Sequence, residues 1–200
     1  MIELKDVHSG ETAWIVAKGP SVLNLKKTDI GDGPIIALYE TIAIVEMLGL
    51  PNPVYSLQKD GGQNKTHVAP TTILSSECNS RDCKNCGWVS RPLKATLLLH
   101  DLEAEFCFPD YSPRYLFNLA EIGLQYNTFS LVCALKIAQF MGCVKFMFVS
   151  ADAQSIGDLR CCLPIYPQRY YDHDYEAQRR MFPAYLEGLD YGYITPKGAT

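Results

Sequence analysis

Short apolar runs alternate along this chain with segments whose apolar residues recur at helical spacing. Continuous apolar runs bounded by Gly, Pro or charged residues are typical of buried strands. They predict strands at 13–17, 34–38, 54–57, 68–74, 95–99, 144–149 and 191–194. Apolar residues at helical spacing, with a Gly or Pro that ends the segment, predict helices at 40–48, 128–141 and 174–186. A short helix is also predicted at 22–25, with Ser21 as its cap.

This alternation predicts an α/β fold with an open, mostly parallel sheet and helices on both faces. The run 144–149 is the clearest strand, because it is continuously apolar, as a strand covered on both faces should be. We expect one domain over residues 1–200, because 200 residues suffice for a single core. The polar, cysteine-rich stretch at about 75–90 is interpreted as an inserted loop.

Composition narrows the class of protein. The chain is 48% hydrophobic and 20% charged, which is ordinary for a globular protein. A net charge of −4 without a basic stripe argues against nucleic-acid binding. No apolar run approaches the roughly 20 residues of a membrane span. The charged N-terminus lacks a signal-peptide pattern, so we expect a cytoplasmic protein.

The turn after the first predicted strand is the best candidate for binding a nucleotide phosphate. Ligands of open parallel sheets bind at the carboxyl ends of the strands. Gly19 permits close approach of the backbone, Pro20 fixes the turn, and Ser21 offers a hydroxyl near N–H groups that point at an anion. Lys18 adds a positive charge. The alternative is a simple tight turn.

Other polar residues follow later strands. Tyr39 and Gln58 end the second and third. Asp60 and Asp152 follow two strands, where a carboxylate binds a hydroxyl, holds a metal or caps a turn. His173 lies between Asp172 and Asp174 before a helix, which suits a general base and equally a histidine at the surface.

The cysteines divide into two groups. Cys78, Cys83 and Cys86 have the C-x4-C-x2-C spacing that places three thiolates around Zn²⁺, which would pin the inserted loop. Candidates for a fourth ligand are His67, His100 and Cys107. The same spacing occurs in plant-type [2Fe–2S] proteins, and free loop thiols are a further alternative. Cys133 and Cys143 lie in apolar runs and are interpreted as buried core thiols.

Three blocks resemble a known group of enzymes. Residues 14–22 are similar to the opening strand and Gly-Pro-Ser loop of bacterial sialyltransferases and of the related archaeal 6-hydroxymethylpterin diphosphokinases. Residues 128–152 resemble their small-residue helix, Gly, apolar strand and Asp. His173 before a helix and a closing strand resembles the placement of the sialyltransferase catalytic histidine.

The resemblance implies a Rossmann-like fold and metal-independent transfer from a nucleotide-sugar donor. It implies that Gly19, Pro20 and Ser21 hold the donor phosphate and that His173 deprotonates an acceptor hydroxyl. Tyr170 and Tyr171 lie near where the family uses tyrosines to assist the leaving phosphate.

The chain also departs from the family pattern. Lys18 stands where the loop usually has Asn, and Tyr39 and Gln58 stand where polar amides are expected. Because Lys18 also suits a di- or triphosphate, an ATP-dependent diphosphokinase is a second hypothesis. It would need Mg²⁺, with Asp60 and Asp152 as ligands. A third hypothesis is a non-catalytic nucleotide-binding module whose cysteine loop docks a partner.

Overall fold

A seven-stranded, all-parallel sheet forms the centre of the protein. The computed structural model describes residues 1–39, 41–58, 72–73, 89–90, 95–100, 114–125, 129–157 and 175–198. The strands are β1 (Thr12–Val16), β2 (Ile35–Leu38), β3 (Val54–Gln58), β4 (Thr72–Ile73), β5 (Val89–Ser90), β6 (Thr96–His100), β7 (Arg114–Phe117), β8 (Lys145–Val149) and β9 (Asp190–Ile194). The α-helices are α1 (Thr41–Met47), α2 (Ser130–Phe140), α3 (Asp152–Ser155) and α4 (Tyr175–Met181). Short 3-10 helices are Ile2–Leu4, Pro20–Asn24, Lys27–Asp29 and Phe182–Tyr185.

The strand order is β7-β6-β3-β2-β1-β8-β9. After β1 the chain builds outward on one side through β2, β3, β6 and β7, and then returns to add β8 and β9 on the other side of β1. The direction of winding therefore reverses between β1 and β8. In open α/β sheets, such a switch point leaves a crevice at the carboxyl ends of the strands, where ligands bind.

Each face of the sheet has its own apolar core, because successive side chains of a strand point to opposite faces. On one face, Ala13 and Ile15 of β1 pack with α2 and with Phe182. On the other face, Val16 packs with Ile42 of α1 and with Val22 of the Pro20–Asn24 helix. The helices thus cover both faces, as the sequence pattern predicts.

The end of α2 sets the position of β8. Gly142 ends the helix with φ of +86°, and a Cβ there would lie 2.9 Å from the Cα of Ser9. A glycine is required because other residues would both be strained and collide with this segment. The chain then turns directly into β8, which pairs with β1 from Thr12↔Lys145 to Val16↔Val149.

The sequence predicts most of these elements to within one or two residues and misses several features. β7 was not predicted. Within the range 68–74, only the short β4 is described, and it pairs with β5 in a separate antiparallel sheet. The predicted helix 174–186 is α4 followed by the 3-10 helix Phe182–Tyr185, in which Pro183 cannot donate an α-helical hydrogen bond.

The short helix after β1 also differs from the prediction. It is a 3-10 helix of five residues that begins at Pro20, so Ser21 lies inside it rather than at its cap. Gly19 is the N-cap residue, and it has no side chain that could cap the helix.

The prediction that Cys133 and Cys143 are buried core thiols is confirmed. Burial is the main cause that raises the pKa of Cys143 to about 12. This thiol is therefore protonated and unreactive near neutral pH. Within the part of the chain described here, no helix is long and apolar enough to cross a membrane.

Phe148 joins β8 to the elements that follow it, and its truncation tests the core. Its ring is fully buried and lies 5.1 Å from the ring of Phe182 and 5.6 Å from that of Tyr193, centroid to centroid. We expect Phe148→Ala to lower the free energy of unfolding by about 3–5 kcal/mol, measured by denaturant titration. The control Met47→Ala, at a side chain that is 68% exposed, should change it by less than about 0.5 kcal/mol. Equal effects of the two variants would contradict this account of the core.

Candidate functional site

Three polar segments meet at the carboxyl edge of the sheet around the switch point. Because β2, β1 and β8 are adjacent and parallel, the residues that follow them emerge side by side. These segments contain Lys18–Ser21 after β1, Tyr39 after β2, and Ser150–Asp152 after β8. The topology thus brings together four residues that the sequence singled out on the β1 turn, as well as Tyr39 and Asp152.

The β1 turn packs against the β8 turn with no space for a side chain at residue 19. A Cβ on Gly19 would collide with the Cγ of Asp152 and with the carbonyl oxygen of Ser150. Gly19 has an ordinary φ of −63°, so it is required for this close approach rather than for its conformation.

Asp152 ties the β1 turn in place. Its Oδ2 accepts a hydrogen bond from the Ser21 N–H at 2.7 Å, and its Oδ1 accepts one from the Ser21 hydroxyl at 2.6 Å. The Asp152 side chain is only 1% exposed. A buried carboxylate is costly unless it is hydrogen-bonded, and both of its oxygens are bonded here. We call Gly19, Ser21 and Asp152 the turn bracket.

The N–H groups of Gly19, Ser21 and Val22 have acceptors within the protein. Gly19 donates to the carbonyl of Ser150 at 2.9 Å, Ser21 donates to Asp152, and Val22 donates to the carbonyl of Gly19 at 3.0 Å. Pro20 has no N–H. The sequence predicts that these groups face an anion, whereas in the structure they face protein oxygens. These three N–H groups therefore hold the turn against the β8 turn and the start of its own helix rather than pointing at an open space.

Backbone strain occurs at both strand ends that flank β1. Tyr39 has φ of +52° and Ser150 has φ of +55°, in the left-handed region that non-glycine residues seldom adopt. Such residues cost of order 1–3 kcal/mol each and cluster at functional sites. The hydroxyl of Ser150 is also buried, and it has no hydrogen-bond partner among the described residues. The two strand ends that flank β1 therefore carry the kind of backbone strain that is common at functional sites.

Tyr39 connects the β1 turn to the first residue of α2. The ammonium of Lys18 lies 4.6 Å from the centroid of the Tyr39 ring, within the range of a cation–π interaction. The Tyr39 hydroxyl shares a 2.7 Å hydrogen bond with the hydroxyl of Ser130. The ring is 4% exposed, so it forms a fixed platform beneath the Lys18 ammonium.

The helix that follows His173 in the sequence lies close to the turn bracket. α3 begins at Asp152, and α4 packs against it. Beyond α3, a Cβ on Gly157 would lie 3.6 Å from the guanidinium of Arg179 in α4. α4 begins at Tyr175, two positions after His173.

Several predicted site residues lie outside the described ranges. They are Asp60, His67, Cys78, Cys83, Cys86, Cys107, Tyr170, Tyr171 and His173. The zinc and general-base predictions therefore remain predictions. Among the residues that the structure describes, no group of three or more His, Cys, Asp or Glu side chains could hold a metal.

Two other predicted residues lie further along the same edge. Gln58 is the last residue of β3, and His100 is the last residue of β6. His100 is buried, with its ring 5.6 Å from that of Phe117.

Sequence reasoning missed Ser130 as a member of this edge. It predicted that the helix begins at residue 128, so it did not identify Ser130 as the first residue of α2, beside the end of β2. A serine near the start of a predicted helix was the available signal. Its pairing with Tyr39, 91 positions away, could not be read from the sequence.

No protein-family model, curated protein or solved structure matches this chain.

A substitution at Gly19 tests the close approach of the two turns. Gly19→Ala should lower the free energy of unfolding by about 1–3 kcal/mol, because the new methyl group collides with backbone and with a bonded carboxylate. The matched control is Gly198→Ala, whose Cβ would have its nearest neighbour at 3.5 Å. Both changes reduce the entropy of the unfolded chain equally, so the difference between them isolates the collision. If Gly19→Ala is as stable as the control, the two turns are not packed as described.

A double-mutant cycle tests the hydrogen bonds of the turn bracket. Ser21→Ala removes one bond to Asp152, and Asp152→Ala removes both. We expect losses of about 1 and about 3 kcal/mol in the free energy of unfolding, measured by urea titration. When Asp152→Ala is already present, adding Ser21→Ala should lower the free energy of unfolding by about 1 kcal/mol less than Ser21→Ala does in the wild-type protein, because its hydrogen-bond partner is already gone. Strict additivity of the two losses would contradict a direct interaction.

Proposed function

We propose that this protein is a glycosyltransferase-like enzyme that transfers a group from a nucleotide-sugar donor to an acceptor hydroxyl. The observation that carries the proposal is the turn bracket at the switch point between β1 and β8. It fixes the first turn of an all-parallel sheet at the place where such sheets bind nucleotides. The strained residues Tyr39 and Ser150 support the same edge.

In this proposal His173 is the general base. It takes the proton from the acceptor hydroxyl as the acceptor oxygen attacks the anomeric carbon of the donor sugar. The bond between that carbon and the phosphate oxygen breaks, and the bonding electrons leave with the nucleotide phosphate. Tyr170 and Tyr171 assist that leaving phosphate. The packing of α4 beside α3 supports this role, because the sequence places His173 two residues before α4.

The diphosphokinase alternative is weaker because of Asp152. In the diphosphokinase hypothesis, Asp152 and Asp60 are the ligands of Mg²⁺. Both oxygens of Asp152 accept hydrogen bonds from Ser21, and its side chain is 1% exposed. Binding Mg²⁺ there would require the turn bracket to open, whereas metal-independent transfer leaves it intact.

Nucleotide binding is tested by thermal unfolding in the presence of CMP, CMP-sialic acid, UDP-sugars, GDP-sugars, ATP and GTP, with and without Mg²⁺. A ligand at 100 times its dissociation constant stabilises the native state by about 2.7 kcal/mol. We expect one nucleotide sugar or its nucleotide to raise the melting temperature without Mg²⁺. Stabilisation only by ATP with Mg²⁺ would support the diphosphokinase, and stabilisation by none would refute the nucleotide site.

Catalysis is tested by His173→Ala with the donor identified in that screen. We expect loss of turnover with nearly unchanged donor affinity, because a general base acts on the acceptor proton. The control is Arg180→Ala in α4, at a side chain that is 72% exposed, and it should keep wild-type turnover. If the wild-type protein binds the donor but transfers nothing to any acceptor or to water, the protein is a nucleotide-binding module instead.

A further inference from the structure

We infer that Lys18 makes this site selective for nucleoside diphosphates over nucleoside monophosphates, and that Tyr39 and Ser130 are the residues that position it. The inference rests on the proposed function, because it names the substrate class of the same edge. The donor is then a nucleoside-diphosphate sugar.

The first step concerns the hydrogen-bond donors of the β1 turn that are already paired with protein oxygens. The N–H groups of Gly19, Ser21 and Val22 all donate to protein oxygens, and Pro20 has none. The Ser21 hydroxyl donates to Asp152 as well. These groups are therefore already paired within the protein, and we assign the attraction of a phosphate to a side-chain cation instead.

The second step concerns charge. In the described residues 17–24, 39, 41–42, 129–133 and 150–155, which form the strand ends at the switch point and their immediate continuations, Lys18 is the only lysine or arginine. Arg179 of α4 lies beyond α3, beside Gly157. The Lys18 ammonium is a compact point charge with three donors, which suits phosphate oxygens. A second phosphoryl group brings more negative charge near this cation, so Coulomb attraction favours the diphosphate.

The third step concerns position. A lysine side chain is long and flexible, and an untethered ammonium discriminates little between ligands. Here the buried ring of Tyr39 holds the ammonium at 4.6 Å, and the bond to Ser130 fixes the ring against α2. The left-handed backbone of Tyr39 is held by its N–H, which donates to the carbonyl of Leu57 at 3.0 Å. The cation is thus preorganised at the edge of the crevice.

The test measures affinities for a nucleoside and its mono-, di- and triphosphate by calorimetry, using the base found in the thermal screen. Wild-type protein should bind the diphosphate about tenfold more tightly than the monophosphate. Lys18→Met should reduce this ratio to about one and leave the affinity for the uncharged nucleoside unchanged, while Lys18→Arg should keep the preference. The control Lys145→Met alters a half-exposed lysine at the opposite edge, in the first residue of β8, and should change nothing.

The positioning residues are tested by the same ratio. Tyr39→Phe keeps the ring but removes its hydroxyl, and Ser130→Ala removes the other partner of that hydrogen bond. Each should lower the ratio by about threefold, and the double variant should lower it no further, because both remove one interaction. Ser130→Thr retains a hydroxyl and should restore the ratio. A structural role alone would change stability without changing the ratio.

The outcomes separate this inference from the proposed function. If wild-type protein binds no nucleotide, the proposed function fails and this inference fails with it. If nucleotides bind but the monophosphate binds as tightly as the diphosphate, only the inference is overturned. The inference is also overturned if Lys18→Met lowers the affinities for the nucleoside, the monophosphate and the diphosphate by the same factor. The lysine would then act through its size and packing and not through its charge.

Discussion

The hydrogen-bonded contact between Asp152 and Ser21 is the constraint on which the candidate site depends. It joins the turns after β1 and β8, 131 positions apart in the chain, at the point where the winding of the sheet reverses. A carboxylate that is 1% exposed is stable there because both of its oxygens accept hydrogen bonds. Gly19 permits the contact by leaving no side chain between the turns. The turns after β1 and β8 are therefore held together at the switch point.

The same contact decides how an anion can be bound. Because Gly19, Ser21 and Val22 donate their N–H groups to protein oxygens, our proposal assigns the attraction of an anion to Lys18, which lies over the ring of Tyr39. Tyr39 and Ser150, at the ends of β2 and β8, have left-handed backbone conformations, which strain non-glycine residues. Burial of apolar side chains in the two cores stabilises the fold and offsets the free-energy cost of this strain.

The sequence predicted the layered α/β architecture because apolar periodicity depends on local geometry. Continuous runs such as β8 and the helical spacing of α2 identify their elements within a residue or two. β7 was missed because its apolar run has only three residues, Tyr115 to Phe117, which is shorter than the runs of four or more that predict a strand. The five residues of the Pro20–Asn24 helix were too few for periodicity to define their start.

The sequence by itself determined the fold class, the buried thiols Cys133 and Cys143, and the grouping of polar residues at the ends of strands. These follow from local apolar patterning and from the rule that parallel strands end at one edge. Only the tertiary structure decided which strand ends are neighbours, that Asp152 binds Ser21, and that Tyr39 joins Lys18 to Ser130. The physical reason is that these interactions join residues far apart in the chain. Their partners are chosen by strand order and close packing, which no local pattern encodes.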